Sequence, residues 1–171
     1  MTKKISLREY QESVVAKLQS TIEGGATASK LGVQVGQEHW LIDLQDVSEV
    51  VAVPDMCHVP LTHHWFRGIA NVRGSLYSVI DLSLFMGNEP TMLNASCRLM
   101  LVNARYISNA SLLVTKMLGL RNVGQFTPAE KAGDAPVWLS AAYRDAEGRQ
   151  WKVLDMAALA TCSQFLQVAT I

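Results

Sequence analysis

The chain has 171 residues, 49% of them hydrophobic, and its 15 lysines and arginines equal its 15 aspartates and glutamates. That length fits one domain, or two small intimately packed halves, with enough apolar side chains for a core. The balanced charge leaves no net field to hold a polyanion or an anionic membrane surface, which argues against nucleic acid as a partner.

The basic start Met1 to Lys4 leads into Ser6, Arg8, Glu9 and Gln11, where a signal peptide needs an unbroken apolar run. No 18-residue apolar stretch follows anywhere, so the expected location is the cytoplasm, with no membrane insertion. Ser6 and Glu9 have capping-box spacing, and Leu7, Tyr10, Val14, Leu18 and Ile22 recur at steps of three and four, which predicts an amphipathic helix over roughly 7–22. Its apolar stripe either packs on the body of the protein or docks a partner, and Gly24 to Ser29 is a small-residue linker that lets it swing. From Leu31, two apolar runs flank Gly36-Gln37-Glu38 in the pattern of a hairpin. In Asp46 to Val51, Val47 and Glu49 are two apart. In an extended chain they share a face and Ser48 and Val50 take the other, whereas in a helix they project about 200° apart. Taken alone, Glu49 reads as a solvated carboxylate.

Pro54 and Pro60 bound an irregular stretch carrying Cys57, His58, His63 and His64. A thiol and three imidazoles invite a metal, but adjacent histidines cannot both point inward from a strand, and a proline-punctuated connection into Trp65 is the better reading. His39 stands alone and reads as structural. Trp65 to Gly87 predicts strand, turn, strand and short helix: Gly74 accepts the positive φ of a tight connection, the run after it suits a strand largely buried on both sides, Asp81 caps the helix and Gly87 ends it. After the linker Asn88-Glu89-Pro90, Cys97 to Asn103 reads as a buried strand. Asn122 to Ala135, polar and carrying Pro128 and Gly133, is the candidate mobile loop. Val137-Trp138-Leu139 and Trp151 to Leu154 pair around an acidic turn ending at Gly148, and Asp155 then caps a helix from Met156 to about Gln167 with an apolar face of Leu159, Cys162, Phe165 and Leu166. Val79-Ile80-Asp81-Leu82 is echoed 74 residues later by Val153-Leu154-Asp155-Met156, which suggests two halves that end their strands alike.

The order Gly68, a spacer, Asn71, an apolar residue, Arg73-Gly74, a few strand residues and then Val79-Ile80-Asp81-Leu82 resembles the signature of CheW-like coupling domains of bacterial chemosensory systems. The lead-in Trp65-Phe66-Arg67-Gly68 and Leu76-Tyr77-Ser78 resemble the type IV pilus, twitching-motility branch, with the flagellar-chemotaxis adaptors as the nearest rival. The resemblance implies a mainly β fold of two small SH3-like five-stranded barrels on a shared core, with N- and C-terminal helices. It puts the interleaved CheW-like domain at 31–171, behind a helix and linker at 1–30. Asp46 to Val51 resembles the family's V-x-E-V element, so Val47, Glu49 and Arg73 are the implied contacts for the hairpin tip of a methyl-accepting chemoreceptor, beside the groove between the halves. Gly68, Asn71 and Gly74 shape the signature's turn. A second surface, on residues the sequence leaves unplaced, is implied for the regulatory domain of a CheA-type histidine kinase, in membrane-bound receptor arrays. Ser111 to Leu120 resembles the family's next strand and bend, but Thr115 stands where an aspartate is usual, which implies a lost polar contact.

For catalysis the chain offers no G-x-S-x-G, P-loop, H-E-x-x-H or dinucleotide fingerprint, hence no implied cofactor, and the cap role accounts for both Asp81 and Asp155. Cys57, Cys97 and Cys162 are 40 and 65 residues apart without a C-x-x-C pair, and read as reduced thiols. Two other classes stay open. A single-strand-binding barrel has one aromatic and basic cluster to use, Trp65, Phe66 and Arg67. A metal enzyme has only the Cys57 to His64 stretch. Arg73 itself either contacts a partner or pairs internally with Glu49 or Asp81.

Overall fold

The alternating runs after Leu31 fold as predicted: β1 (Ser29–Val35) and β2 (Glu38–Asp43) form an antiparallel hairpin in the computed structural model, which describes residues 29–171. The predicted helix over 7–22 lies outside the described residues. A single 3-10 turn, Leu44–Asp46, carries the chain into β3 (Val47–Ala52). There follow β4 (Met56–Cys57), β5 (Phe66–Val72), β6 (Ser75–Asp81), β7 (Arg98–Val102), β8 (Ala110–Val114), β9 (Lys116–Asn122), β10 (Thr127–Ala129), β11 (Leu139–Arg144) and β12 (Gln150–Leu154). The helices are short: α1 (Leu82–Phe85), α2 (Met156–Thr161) and α3 (Ser163–Leu166).

The strands make two sheets of six. The first runs β10, β11, β12, β2, β1, β9, and the second β4, β5, β6, β8, β7, β3. Both follow one plan: an antiparallel meander, a parallel contact (β12 with β2, β6 with β8), then two antiparallel pairs. The chain exchanges its third strand in each half, so that β3 joins the second sheet and β9 the first. Register shifts recur at matching places, at Phe66/Gly68 and Leu139/Ala141 in the meanders and at Val47/Glu49 and Gly32/Val33 on the exchanged edges. The echo noted in the sequence is therefore structural. Asp81 N–H donates to the Trp65 carbonyl and Asp155 N–H to the Trp138 carbonyl, both at 2.8 Å, so each half locks a tryptophan to the end of its meander.

Each sheet buries both faces. Val33, Val35, Trp40 and Ile42 of the first meet Phe66, Ile80, Met100 and Leu112 of the second in a shared core, closed at one end by Trp65, Phe85, Trp138 and Phe165. The second sheet curls its other face around Ala70, Val79, Leu99 and Leu113, and the first around Leu41, Trp151 and Val153. Burial of this apolar surface drives the two curled sheets together. The expected two-lobed β architecture is present, with six strands per sheet instead of five; the shortest strands, β4 and β10, lie at edges.

Three local expectations are corrected. The C-terminal helix breaks at Cys162, whose extended backbone (ψ 117°) separates α2 from α3. The break lets Phe165 stack on Trp65 and meet Phe85 edge-on, and it leaves Leu166 53% exposed instead of on the apolar face. The stretch read as a mobile loop holds a 3-10 turn, Val123–Gln125, and β10, where Pro128 is tolerated because an edge strand has one unpaired side. And β6 is buried only in its second half, since Ser75 and Leu76 next to the turn are exposed.

Candidate functional site

Gly68, Asn71, Arg73 and Gly74 build one rigid hairpin end. Val72 pairs with Ser75, leaving Arg73 and Gly74 as a two-residue connection with φ of 50° and 87°. Positive φ at both positions is what the tight turns that match strand twist require. The Asn71 side-chain oxygen accepts from Gly74 N–H at 2.8 Å and fixes the turn. Gly68, at φ 129°, has a different role: a Cβ there would lie within the van der Waals shell of the Cys57 carbonyl oxygen, so glycine lets β4 close against β5. The signature is thus mostly a recipe for a turn, and Arg73 is its one outward charge.

That turn meets β3. Both terminal nitrogens of Arg73 bond the Glu49 carboxylate, Nη1 to Oε2 at 2.8 Å and Nη2 to Oε1, a bidentate pair. Three strands, β7, β8 and β6, lie between β3 and β5 in sheet order, so the contact also reports the curl that brings the rim of the second sheet around. The pair is open to solvent, with side-chain exposures of 70% for Arg73 and 37% for Glu49. Its hydrogen bonds hold the Glu49 carboxyl below the usual glutamate range and raise the Arg73 guanidinium. Because a guanidinium never deprotonates here, Glu49 alone titrates. With its folded value depressed, its contribution to stability is present above the ordinary glutamate range and is lost as pH falls through the lowered value. A carbon-detected NMR titration is expected to give Glu49 a midpoint below that of a model glutamate, and Arg73→Ala should return it to the ordinary range; an unchanged midpoint would mean that the pair does not persist in solution.

Val47 is placed elsewhere. A bulge at Ser48 sets Val47 opposite Val102 and Glu49 opposite Leu101, and these adjacent β7 residues point to opposite faces. Val47 packs on the shared core, while Glu49 lies on the face where Val51 packs with Leu99. The shared face expected of an unbroken strand is therefore corrected: the structure brings Glu49 and Arg73 together and turns Val47 to the other side. Val47 is held by a network no motif announced. The buried Asp46 carboxylate accepts from Tyr106 Oη at 2.8 Å and Arg105 Nη2 at 3.2 Å, and Asn103 N–H donates to the Asp46 carbonyl. The bond to Asp46 is the main reason the Tyr106 phenol titrates above its ordinary range. Leu76, just beyond the turn, is 58% exposed and not buried as the strand pattern predicts; its position beside the two-residue connection, past the neighbouring strands, is what frees it.

The two echoing aspartates differ. Asp155 accepts from Ala158 N–H at 3.0 Å, a simple cap. Asp81 is wholly buried and accepts from Leu84 N–H at 3.4 Å, Thr91 N–H at 3.0 Å, Thr91 Oγ1 at 2.7 Å and Arg67 Nη1 at 3.1 Å. Asp81 thus pairs with Arg67, leaving Arg73 to Glu49. At the departure from the family pattern, Thr115 Oγ1 accepts from Gly36 N–H at 2.9 Å, so a hydroxyl keeps a polar contact where the chain crosses between sheets. A groove of about 540 Å³, where the β1–β2 turn meets α1 and the connection after it, is lined by Gly36, Glu38, Ser83, Thr91, Met92 and Thr115; Val47, Glu49 and Arg73 do not line it. Among the described residues no group of three or more His, Cys, Asp or Glu side chains is arranged to hold a metal, and His63 instead stacks on Trp65 at 5.5 Å. No described helix is long and apolar enough to cross a membrane.

Residues 30–163 match the model of the CheW-like domain family. The chain belongs to that family. This CheW-like chain is 28% identical over 158 residues to Protein PilI of Pseudomonas aeruginosa, covering 91% of the chain and 88% of PilI. Its fold is similar to the crystal structure of the scaffolding protein TtCheW from Thermoanaerobacter tengcongensis, with a TM-score of 0.63 at 20% identity over 75% of this chain and 88% of that one. The match begins one residue after β1 starts and takes in both sheets and α2, so the CheW-like region and the described fold nearly coincide.

Proposed function

We propose that this CheW-like protein is a non-catalytic coupling adaptor. It holds the hairpin tip of a methyl-accepting chemoreceptor and the regulatory domain of a CheA-type histidine kinase in one assembly, in the system that controls type IV pilus twitching motility. It works in the cytoplasm, recruited to membrane-bound receptor arrays. The observation that carries the receptor half is the exposed Arg73–Glu49 pair on a turn that Asn71 and Gly74 make rigid. Two guanidinium nitrogens are spent on Glu49, and the remaining donors and the flat face are free for helix-end carbonyls or a carboxylate. Leu76 supplies dry surface beside them. Val47, on the opposite face, contributes from the rim of the shared core. The pilus branch is supported by the likeness to PilI along nearly the whole chain.

The mechanism is linkage. A receptor state that the adaptor binds more tightly also biases the kinase state held in the same assembly, by the difference in affinity and no more. The test is a pull-down of the protein from the cytoplasm of its own cell, with the retained proteins identified. A pilus-system receptor and a large histidine kinase are the expected catch; a flagellar receptor and kinase would reassign the branch, and RNA or an unrelated enzyme would leave the family resemblance telling of fold alone.

A further inference from the structure

The two halves differ at a place where the fold makes them equivalent. The 74-residue echo matches Gly148, at φ 80°, to Gly74, at 87°, and so matches Glu147 to Arg73. On the exchanged strands the residues past the bulges correspond in pairing order, Glu49 with Gly119 and Val51 with Arg121. The first half therefore has no carboxylate at the Glu49 position, and it has an arginine where Val51 packs on the curled face of the second sheet.

The Arg121 guanidinium carbon lies 5.4 Å from the centre of the Trp151 ring, a cation–π contact with a wholly buried indole. Arg121 Nε is buried and meets no hydrogen-bond acceptor among the described residues. A buried donor left unmatched is costly, and an arriving acceptor removes that cost. Beside it opens a pocket of about 300 Å³, at the small end of the range for ligand sites, lined by Arg121, Gln125, Phe126, Asp145, Glu147 and Arg149. The carboxylates around the pocket do not supply the acceptor. Asp145, its side chain 8% exposed, accepts at Oδ1 from Arg149 N–H at 2.8 Å and Glu147 N–H at 3.1 Å, and at Oδ2 from Trp151 Nε1 at 2.9 Å. Arg149 Nη1 stays 3.9 Å from it, beyond a hydrogen bond. Among the described residues Glu147 and Arg121 form no ion pair, and Lys30, across from Arg121, is paired with Asp43. His39, edge-on to Trp151 at 5.1 Å, titrates below its ordinary range, first through burial and then through the charge of Arg149, with Asp145 opposing and Arg121 adding. Both guanidinium charges are thus felt around one ring.

We propose that this pocket binds a small molecule through a phosphate or carboxylate group. The oxyanion sits between the guanidinium groups of Arg121 and Arg149, accepts from the buried Nε, and stands in for the carboxylate that Glu49 provides to Arg73. Phe126, tilted 33° to Trp151 at 5.8 Å, gives the rest of the ligand an apolar wall. No residue of the Arg73 turn lines the pocket, so the site is independent of the receptor reading.

Inorganic phosphate and, separately, succinate titrated into the full-length protein at constant ionic strength test this, followed by the arginine Nε–Hε signals in proton–nitrogen NMR spectra. The Arg121 signal should move to saturation with at least one of them, while that of Arg67, already bonded to Asp81, stays in place. Saturation by phosphate alone assigns a phosphate ligand, and by succinate alone a carboxylate one. Arg149→Gln, at a side chain 47% exposed, should weaken binding about tenfold, the loss of a charge-assisted hydrogen bond. Glu147→Gln, which removes a like charge from the rim, should tighten it. An Arg121 signal that saturates with neither anion, or a midpoint that Arg149→Gln leaves unchanged, overturns the proposal.

Discussion

Arg73→Ala is expected to leave thermal unfolding nearly unchanged and to weaken binding of a receptor hairpin tip roughly ten- to hundredfold, as loss of a hot-spot arginine does. The fold loses little because the pair with Glu49 is solvent-exposed, and exposed ion pairs add little to stability. Alanine and arginine also meet the same backbone demand at φ 50°, so the turn held by Asn71 and Gly74 persists. Reversing the pair separates two explanations. If the pair only ties β3 to the turn, Arg73→Glu combined with Glu49→Arg restores binding; if Arg73 itself reaches the receptor, the double variant stays as weak as Arg73→Ala. The second result is expected. Binding unchanged in Arg73→Ala would remove Arg73 from the site.

Asp81→Ala should be the most damaging single change near the signature, lowering the unfolding free energy by about 3–5 kcal/mol, the range for breaking a buried charge pair from one side. It strands the Arg67 guanidinium and both donors of Thr91 and uncaps α1 together. Asp155→Ala, at the echoing position, should cost only about 1 kcal/mol, the usual loss of a helix cap. Denaturant unfolding of the two variants measures the difference. Equal losses would mean that the network around Asp81 adds nothing to its capping bond.

What could be read in the sequence was what short-range stereochemistry decides. Asn71, Gly74 and Asp81 specify a turn and a helix start almost regardless of context, and the strand, turn, strand and short helix of 66–85 form in the expected order. What escaped was decided by distant packing. The period-two reading of Val47 and Glu49 assumed an unbroken strand, and the bulge at Ser48 has no compositional mark. Nothing at Cys162 breaks a helix; the break follows from Phe165 reaching the Trp65 and Phe85 rings. Thr115 looked like a loss because an alignment of residue types does not reveal that its hydroxyl meets Gly36 N–H. The internal repeat was visible only in part: the aspartate echo stood out, while Trp65 and Trp138, 73 residues apart with unlike neighbours, took on meaning once both carbonyls proved to accept from those aspartates.

Co-sedimentation with purified components tests the adaptor role most directly. A membrane-anchored receptor hairpin is mixed with the kinase regulatory domain, with and without this protein. The kinase domain should pellet with the receptor only when the protein is present, and should remain in the supernatant when Arg73→Ala replaces it. Kinase that pellets equally well without the protein, or a protein that binds neither component, would contradict the account.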